Sequence, residues 1–321
     1  LYNNNIMKNI YSNIFSFNKK TLKKSVTNLK KGNVVGLPTE TVYGLAGNAY
    51  SEKSVNKIYK LKKRPKFNPL IVHYFNYKQA ENDVIFNKSF FKLYKKFCPG
   101  PITFILKKKR RSKIKSSVTA NLNTVAVRFP KHPVVRSILK KIDFPLAMPS
   151  ANLSKSISPV NAYDVAEEFE NNIKLIINGG NSKIGIESTV IDLTKNPKIL
   201  RPGIIGPEII KKFLKVSVAK RNLKVISPGM LKRHYSPGIP IFLNQKTFNN
   251  KHAFITFGNK YKNNSNCFNL SKKSNLKEAA SNLYKTFRKI KKKGFKKIYV
   301  VKIPNLGPGI AINDRLKRAA N

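Results

Sequence analysis

Two threonine hydroxyls, a carboxylate and a phenol lie within five residues, Thr39 to Tyr43, directly after an apolar run. That run, residues 33–37, predicts a short buried strand, which Pro38 ends. In an open α/β sheet, the loop that leaves the carboxyl end of a strand is where ligands bind. The same residue types are also common at ordinary strand edges and turns. This segment alone therefore leaves a binding loop and an ordinary edge equally open.

A second segment with chemical potential is cationic. Lys62, Lys63 and Arg64 precede Pro65 at the predicted end of a helix. Arginine offers a forked set of donors and lysine a point charge, which predicts a phosphate clamp. The alternative is a solvated helix end, where cations are favoured anyway. Arg128 interrupts an apolar strand, so it either meets a carboxylate of the protein or binds an anionic ligand.

Small polar groups mark other predicted strand ends. Ser150 and Asn152 follow the apolar run 145–148, Ser188 stands at the head of another strand, and Arg201 ends a further one. The sequence contains no G-x-S-x-G elbow, no G-x-x-x-x-G-K-[ST] loop and no G-x-G-x-x-G motif. Carboxylates are few and no nucleophile is paired with a base. The pattern predicts a site that binds anions and hydroxyl-bearing small molecules, not a site for covalent catalysis.

The elements that must position these residues alternate along the first two thirds of the chain. Apolar residues recur at helical spacing in several segments, and Ser51 is placed to cap one of them. Helices are predicted over residues 21–31, 51–62, 90–97, 133–139 and 207–214. Strands are predicted over residues 33–37, 68–73, 102–106, 123–130, 145–148, 175–177 and 189–193. This alternation indicates an α/β domain.

Length and cysteine usage narrow the class of protein. A chain of 321 residues is too long for one small core, so two domains are expected. Cys98 and Cys267 are far apart and form no C-x-x-C pair. This predicts a reducing, cytoplasmic location and argues against a disulfide framework or a thiolate metal site. No apolar run approaches the roughly 18 residues that a membrane span needs, so no membrane association is predicted.

The net charge of +50, from 64 Lys and Arg against 14 Asp and Glu, has two interpretations. A polyanion partner such as RNA is one of them. The other is a general bias toward lysine and asparagine, with no binding role. Lysines occur in every segment and do not gather in one arm, whereas a nucleic-acid footprint is concentrated on one face. We therefore favour the compositional interpretation.

Several of these segments, taken together and in order, resemble the threonylcarbamoyl-AMP synthases, the YrdC-like family, in its long form with an added C-terminal domain. The family's K-x-R and S-x-N pairs correspond to Lys62-x-Arg64 and Ser150-x-Asn152. The resemblance covers about residues 20–321. The other matching motifs are P-T-E-T-V-Y-G-L (38–45), N-P-L-I-V-H (68–73), P-G-P (99–101), T-V-A-V-R (124–128), E-S-T (187–189), R-P-G (201–203) and H-Y-S-P (234–237).

The resemblance implies a nucleotidyltransferase that makes threonylcarbamoyl-AMP and pyrophosphate from L-threonine, bicarbonate and ATP. The product serves the N6-threonylcarbamoyl modification of adenosine 37 in tRNA, so a hand-off to the tRNA threonylcarbamoyl transferase is expected. Mg²⁺ held mostly by ATP and water is the implied cofactor, with no protein metal site. Both nucleophiles belong to substrates, so the protein has to align them and stabilise phosphate charge.

The resemblance also assigns site residues. The K-x-R and S-x-N residues, Lys62, Arg64, Ser150 and Asn152, are the implied catalytic set. One group would bind ATP: Arg64, Asn68, Thr124, Ser150, Ser158, Arg201 and Tyr235. The other would bind threonine: Thr41, His73, Arg128, Met148 and Ser188. Met148 departs from the family, where relatives often have alanine, and the larger side chain would tighten the threonine pocket.

The implied fold is a YrdC-like twisted mixed sheet with flanking helices over residues 18–218, followed by a linker, 219–239, and a small Rossmann-like α/β domain, 240–321. Two Ser-Pro-Gly breakers, at 227–229 and 236–238, lie within the linker, and between them lie cations, His234 and Tyr235. This predicts a lid over the nucleotide. The competing hypothesis is a basic RNA-binding protein without catalysis. It is disfavoured because the aromatic residues lie mainly on predicted core stripes, and no stable direct binding of tRNA is expected.

Overall fold

The computed structural model describes residues 10–219, 234–247, 251–261 and 264–321. The strands within these ranges are β1 (Ile14–Ser16), β2 (Val35–Leu37), β3 (Gly44–Asn48), β4 (Ile71–His73), β5 (Val84–Ile85), β6 (Ile102–Lys108), β7 (Thr124–Arg128), β8 (Leu146–Ala147), β9 (Ile176–Asn178), β10 (Thr189–Asp192), β11 (Lys198–Arg201), β12 (Ser217–Val218), β13 (Ile241–Phe242), β14 (Ala253–Thr256), β15 (Cys267–Asn269) and β16 (Ile298–Val300).

The helices within the same ranges flank these strands. They are α1 (Lys19–Lys30), α2 (Glu52–Lys62), α3 (Tyr77–Ala80), α4 (Lys88–Phe97), α5 (Ser116–Thr119), α6 (Pro133–Leu139), α7 (Ala162–Phe169), α8 (Pro207–Lys211), α9 (Leu276–Lys292) and α10 (Pro308–Ala320). Local capping chemistry sets several of the starts. Asn18 and Thr21 form a reciprocal capping box at α1, and the Ser51 hydroxyl accepts a hydrogen bond from the Ser54 amide at α2, as predicted.

The large sheet is mixed and has twelve strands, in the order β1-β9-β2-β3-β8-β4-β7-β6-β10-β11-β12, with β5 paired to β6. Parallel pairs such as β4–β7 and β6–β10 alternate with antiparallel pairs such as β6–β7 and β3–β8. The main apolar core packs between this sheet and its helices and contains Tyr43, Phe90, Phe104 and Phe129, all fully buried. The predicted α/β class with a mixed sheet is confirmed.

Five of the described strands were not predicted, namely β1, β3, β5, β12 and β15, of which β5 and β12 are only two residues long. Strand β1 lies before residue 18 and pairs in parallel with β9 over three residue pairs. Strand β15 forms an edge of the second sheet. Strand β3 is rich in glycine, which ordinarily disfavours a strand. A Cβ atom at Gly44 would lie 2.4 Å from Met148 Cγ, and one at Gly47 would lie 3.0 Å from Ile58 Cδ1. These glycines let the backbone approach its neighbours closely, so packing outweighs propensity here.

The C-terminal part has its own sheet of four parallel strands, in the order β13-β16-β14-β15. Helix α9 buries one face against it, with Ala279, Leu283, Phe287 and Ile290 at helical spacing. This matches the predicted small α/β domain. Gly307 is the N-cap of α10, with φ 47°, and Gly309 lies in its first turn, where a Cβ atom would lie 1.9 Å from the Pro304 carbonyl oxygen.

The two parts share an apolar cluster. Val42, Ile157, Val160 and Ile186 of the large-sheet part belong to the same buried cluster as the core of the C-terminal part, and Tyr235 joins them. Of the predicted linker, residues 220–233 lie outside the described residues, including the first Ser-Pro-Gly breaker. The second breaker is attached, since the Ser236 amide donates to the Lys155 carbonyl at 2.9 Å. None of the described helices is long and apolar enough to cross a membrane.

Candidate active site

A cavity of about 550 Å³, counted with the part open to solvent, lies where several strands of the large sheet end. Three arginines and one carboxylate are among its walls, so the lining carries an excess of positive charge. Its lining residues are Thr39, Val42, Tyr43, Gly44, Arg64, Ile71, His73, Arg128, Met148, Pro149, Ser150, Glu187, Arg201, His234 and Tyr235. A concave site with converging polar groups is the usual form of a small-molecule site.

Seven of the residues assigned from the sequence meet in this lining: Arg64, His73, Arg128, Met148, Ser150, Arg201 and Tyr235. The other assigned residues do not line it. Most of them lie directly behind a lining residue and bond to it, as described below. Thr124 and Asn152 are the exceptions. Thr124 lies at the opposite end of β7 from Arg128, and Asn152 bonds to Lys62, Leu153 and Ser156, which do not line the cavity.

The loop between β2 and β3 is closed by its own threonines. The Thr39 hydroxyl donates to the Val42 carbonyl at 2.6 Å and lies 2.8 Å from the Thr41 hydroxyl. Thr39 faces the cavity, whereas the predicted ligand, Thr41, is fully buried behind it. The loop is therefore rigid, and Thr41 acts on the cavity wall through Thr39.

Arg128 meets a carboxylate of the protein, which is the first alternative that its position in an apolar strand left open. Its Nη2 atom lies 2.7 Å from Glu40 Oε1, and the side chain also lines the cavity. The Lys131 amide donates to Glu40 Oε2 at 3.1 Å. Burial alone would raise the pKa of Glu40, but the ion pair with Arg128 lowers the pKa below its usual value. Arg128 Nε is buried and bonds to none of the described residues.

His73 lies beside Arg128, because the two residues are paired in register between β4 and β7. Burial lowers the pKa of His73 well below its usual value, and the neighbouring Arg128 charge lowers it further. The imidazole is therefore neutral at pH 7. Its Nδ1 atom is buried and has no hydrogen-bond partner among the described residues. A buried polar atom facing a cavity without a partner is a place for a ligand atom.

The K-x-R pair divides into two roles. Lys62 is 1% exposed, and its ammonium group donates to the carbonyl oxygens of Ser150 and Asn152. It thus holds the S-x-N turn from beneath and does not line the cavity. Arg64 does line it, because Lys63 takes a left-handed conformation (φ 48°) that ends α2 and turns the chain. The alternative of a solvated helix end does not hold for Lys62 and Arg64, since both side chains are buried.

Arg64 is fixed by the segment that follows it. Its Nε atom donates to the Asn68 carbonyl at 3.0 Å, and Nη2 donates to Asn68 Oδ1 at 2.6 Å. Burial lowers the pKa of Arg64 to about 10, so the guanidinium remains charged at pH 7. Asn68 is completely buried and acts as the support of this arginine. Its own Nδ2 atom bonds to none of the described residues.

Arg201 forms a further part of the cavity wall. Its Nε atom donates to the Ser188 carbonyl at 3.1 Å, and Nη2 donates to the Ser188 hydroxyl at 3.2 Å. The Ser188 hydroxyl also lies 2.8 Å from the Thr103 hydroxyl. The assigned residue Ser188 is thus a support of Arg201, and both are buried.

Glu187 is the acidic residue of the lining, and the sequence did not assign it. Its carboxylate accepts the Ser158 hydroxyl at 2.5 Å, the Tyr284 hydroxyl at 2.9 Å and Arg315 Nε at 3.0 Å. Burial would raise the pKa of Glu187, but the charges of Arg315 and Arg201 lower it below the usual value. Glu187 is the first residue of the E-S-T motif, but the resemblance assigned only Ser188 of this motif to the site.

His234 and Tyr235 complete the cavity from the segment that joins the two parts. Their ring centroids are 4.0 Å apart, and Tyr235 adopts a left-handed conformation with φ 65°. The Tyr235 hydroxyl and His234 Nδ1 are buried and make no hydrogen bond to other described residues. Burial lowers the pKa of His234 well below its usual value, as do the charges of Arg64, Lys62 and Arg201.

The described residues offer no protein site for a metal ion. No group of three or more His, Cys, Asp or Glu among them is arranged to bind one. Of the carboxylates near the cavity, Glu40 is paired with Arg128 and Glu187 with Arg315. These side chains therefore do not fit a resident Mg²⁺ ion, and we assign no step to one.

An α/β sheet whose strand ends surround an arginine-rich cavity defines a class of protein that binds anionic small molecules. Two family models cover most of the chain. One, described as "Telomere recombination" and comprising the Sua5, YciO and YrdC proteins, matches residues 27–203. The other, the threonylcarbamoyl-AMP synthase C-terminal domain, matches residues 205–321.

Curated relatives and a solved structure agree with these models. The chain is 34% identical to the threonylcarbamoyl-AMP synthase of Pyrococcus abyssi over 91% of this chain and 92% of that one. It is also 34% identical to that of Bacillus subtilis, over 95% and 94% of the two chains. The crystal structure of P. abyssi Sua5 complexed with L-threonine superposes with a TM-score of 0.88 at 32% identity, over 96% of this chain and 97% of that one.

The chain therefore belongs to the threonylcarbamoyl-AMP synthase family, in its long form with the C-terminal domain. The predicted family, enzyme class and fold are confirmed. The individual site residues and the domain boundaries stay predictions.

Proposed function

We propose that this chain forms threonylcarbamoyl-AMP and pyrophosphate from L-threonine, bicarbonate and ATP, for the threonylcarbamoyl modification of tRNA. The observation that carries the proposal is the convergence of Arg64, Arg128 and Arg201 on one cavity that also holds His73 and the Thr39 loop. Three fixed cations match substrates that are all anionic or carboxylated. The family relationship supplies the reaction.

We place threonine at the Arg128 side of the cavity. Arg128 offers guanidinium donors to a carboxylate, and neutral His73 offers a buried, unsatisfied nitrogen beside it. Thr39, backed by Thr41, closes the same end. Met148 packs over Gly44 at this wall, and its side chain would narrow the pocket there. The solved relative complexed with L-threonine supports a threonine substrate for this chain.

ATP would extend from Arg64 and Arg201 across the same face of the sheet. Thr124, Ala126 and Arg128 alternate along β7, so their side chains point to one face. At a rise of about 3.3 Å per residue, Thr124 lies roughly 13 Å from Arg128. An extended nucleotide can span this distance. ATP could therefore contact both Arg64 and Thr124, although Thr124 does not line the cavity.

The chemistry then needs alignment more than an activated side chain. The threonine amine attacks the carbon of bicarbonate, a C–N bond forms, and water leaves to give the carbamate. A carbamate oxygen next attacks the α-phosphorus of ATP, and the bond to the β-phosphate oxygen breaks to release pyrophosphate. Arg64 and Arg201 stabilise the charge on the phosphates, and Lys62 keeps the Ser150 turn in place.

Some parts of the prediction rest on the family and not on these contacts. A nucleotide-held Mg²⁺ ion would supply charge neutralisation on the phosphates. Bicarbonate and ATP as substrates, hand-off of the product to a tRNA threonylcarbamoyl transferase, and a cytoplasmic location remain predictions of the same kind. A lid formed by His234 and Tyr235 is a further proposal, supported by the position of both side chains in the cavity wall.

The test is a coupled pyrophosphate assay together with detection of threonylcarbamoyl-AMP by mass spectrometry. Pyrophosphate release is expected only when L-threonine, bicarbonate and ATP are all present. Omission of threonine or bicarbonate provides the control for simple ATP hydrolysis. Equal turnover of ATP with either substrate left out would contradict the proposed reaction.

A further inference from the structure

We propose that Arg315, in the last helix of the C-terminal domain, is a positioning residue for the ATP side of the active site. Arg315 itself does not line the cavity. It acts on the cavity through three neighbours. Glu187 and Tyr235 line the cavity, and the Pro202 backbone directly follows Arg201, which also lines it. The inference rests on the proposed function, since it assigns these residues to nucleotide binding.

The first contact is with the carboxylate in the cavity wall. Arg315 Nε lies 3.0 Å from Glu187 Oε2, and Tyr284 of α9 donates to the same oxygen at 2.9 Å. The other carboxylate oxygen accepts the Ser158 hydroxyl. Two residues of the C-terminal domain thus hold one oxygen of Glu187, while Ser158, assigned to ATP, is held by the other.

The second contact of Arg315 is with the backbone after Arg201, and the third is with Tyr235 in the segment between the two domains. Arg315 Nη1 donates to the Pro202 carbonyl at 2.8 Å, which fixes the backbone directly after Arg201. The guanidinium also lies over the Tyr235 ring, 5.1 Å from its centroid. One side chain therefore ties together the E-S-T, R-P-G and H-Y-S-P motifs.

Burial of the Arg315–Glu187 ion pair costs hydration free energy, so we interpret the pair as one that holds its neighbours in fixed positions. Arg315 is 0% exposed, and a buried ion pair loses hydration that its Coulomb energy recovers only with good geometry. Asp314 accepts from Arg315 Nη1 at 2.9 Å, so the guanidinium is satisfied on several sides. Such a network fixes the directions of its members, and arginine is suited to it because its planar fork presents donors at fixed angles.

Arg288 provides the matched control. It also joins the two domains through partly buried ion pairs, from α9 to Asp164 at 3.4 Å and to Glu168 at 3.8 Å. It donates to the Ile157 carbonyl at 2.9 Å. It does not line the cavity, and within the described ranges its hydrogen bond and ion pairs do not involve Glu187, Pro202 or Tyr235. Loss of Arg288 tests domain docking and the backbone before Ser158, whereas loss of Arg315 tests docking together with Glu187, Pro202 and Tyr235 at the cavity wall.

The experiment compares Arg315→Gln, Arg315→Lys, Tyr284→Phe and Arg288→Gln with the wild-type full chain. The affinity for α,β-methylene-ATP, which cannot release pyrophosphate, is measured by calorimetry. The KM for threonine and the thermal midpoint are measured alongside. Loss of hydrogen bonds to a charged group predicts an about tenfold weaker nucleotide affinity for Arg315→Gln, with a smaller loss for Arg315→Lys. The threonine KM and the affinity of Arg288→Gln should be unchanged.

Several results would overturn the proposal. Wild-type nucleotide affinity in a folded Arg315→Gln chain would do so, and so would an equal loss in Arg288→Gln. If Arg315→Gln does not fold, Tyr284→Phe provides the test, because it removes the hydroxyl that bonds to Glu187 and keeps the ring. Unchanged nucleotide affinity in Tyr284→Phe would then contradict the proposal. A wild-type chain that binds the analogue but makes no threonylcarbamoyl-AMP contradicts the proposed reaction and leaves the binding comparison intact.

Discussion

The floor of the cavity and the junction between the domains are each fixed by a buried ion pair, but the two pairs face opposite ways. At the floor, Arg128 faces the cavity and Glu40 stands behind it, 2.7 Å away. At the junction, Glu187 faces the cavity and Arg315 stands behind it, 3.0 Å away. One pair presents a cation to the ligand and the other presents an anion.

The difference shows which domain supplies the residues that position each part of the site. Glu40 and Arg128 are both in the large-sheet part, where a rigid loop and a strand position them. Glu187 depends on Tyr284 and Arg315, which come from the second domain. The end of the cavity assigned to threonine is therefore complete within one domain, whereas the wall near Arg201 needs two.

The largest effect is expected from breaking the floor pair. Arg128→Gln leaves the Glu40 carboxylate buried without its cation, which typically costs about 3–5 kcal/mol of folding stability. The double variant Glu40→Gln with Arg128→Gln removes both charges, so most of the stability should return. Threonine-dependent pyrophosphate release should stay lost, because the cation in the cavity is absent. Thermal midpoints and threonine titrations measure the two effects separately, and recovered threonine use in the double variant would contradict the role of Arg128.

Arg64→Ala should have the next largest effect, on ATP. A hydrogen bond to a charged group is worth about 1.5–3 kcal/mol, which corresponds to about tenfold or more in affinity. Some loss of folding stability is also expected, because the side chain is buried and bonds to Asn68 and Pro69. Asn68→Ala is the matched control, since it removes a support of the arginine and keeps its charge. An Arg64→Ala chain that unfolds more easily at wild-type ATP affinity would make Arg64 a structural residue.

The sequence predicted the local features well and the tertiary pairings poorly. Ser51 caps its helix because the capping bond needs only neighbours in sequence. Arg128 was known to need a partner, but nothing in the pattern distinguished Glu40 from a ligand. Glu187 and Arg315 are 128 residues apart, so their contact arises only from domain packing. Lys62 was assigned to catalysis by motif, whereas its ammonium bonds to backbone carbonyls that no sequence pattern reveals.

Acidic pH should affect the folding of both regions through buried histidines. Burial lowers the pKa of His73 and of His234 well below the usual value of 6.5. As the pH falls below about 6.5, the unfolded chain takes up these protons before the folded chain does, so the free energy of unfolding decreases. Urea titrations between pH 7.5 and pH 5 would measure this. His73→Asn should reduce the pH dependence, and an unchanged slope in that variant would assign it to other groups.

The smallest effect is expected from Tyr235→Phe, which tests the proposed lid. The Tyr235 hydroxyl is buried in the cavity wall without a hydrogen bond to other described residues, so its removal leaves no protein group unsatisfied. Folding stability should therefore be retained. If the hydroxyl bonds a phosphate, its loss should weaken ATP binding by about 1 kcal/mol, or roughly fivefold.

Tyr43→Phe is the matched control, because Tyr43 lines the same cavity but its hydroxyl is used within the protein. It donates to the Gly180 carbonyl at 2.7 Å and accepts from the Gly179 amide at 3.1 Å. Tyr43→Phe should lower the thermal midpoint and leave the ATP affinity unchanged, the reverse of Tyr235→Phe. A truncated chain is a less direct test, since removal of the C-terminal domain would expose Val42, Ile157 and Ile186. Wild-type ATP affinity in Tyr235→Phe would show that the segment joins the two domains without contacting the nucleotide through this hydroxyl.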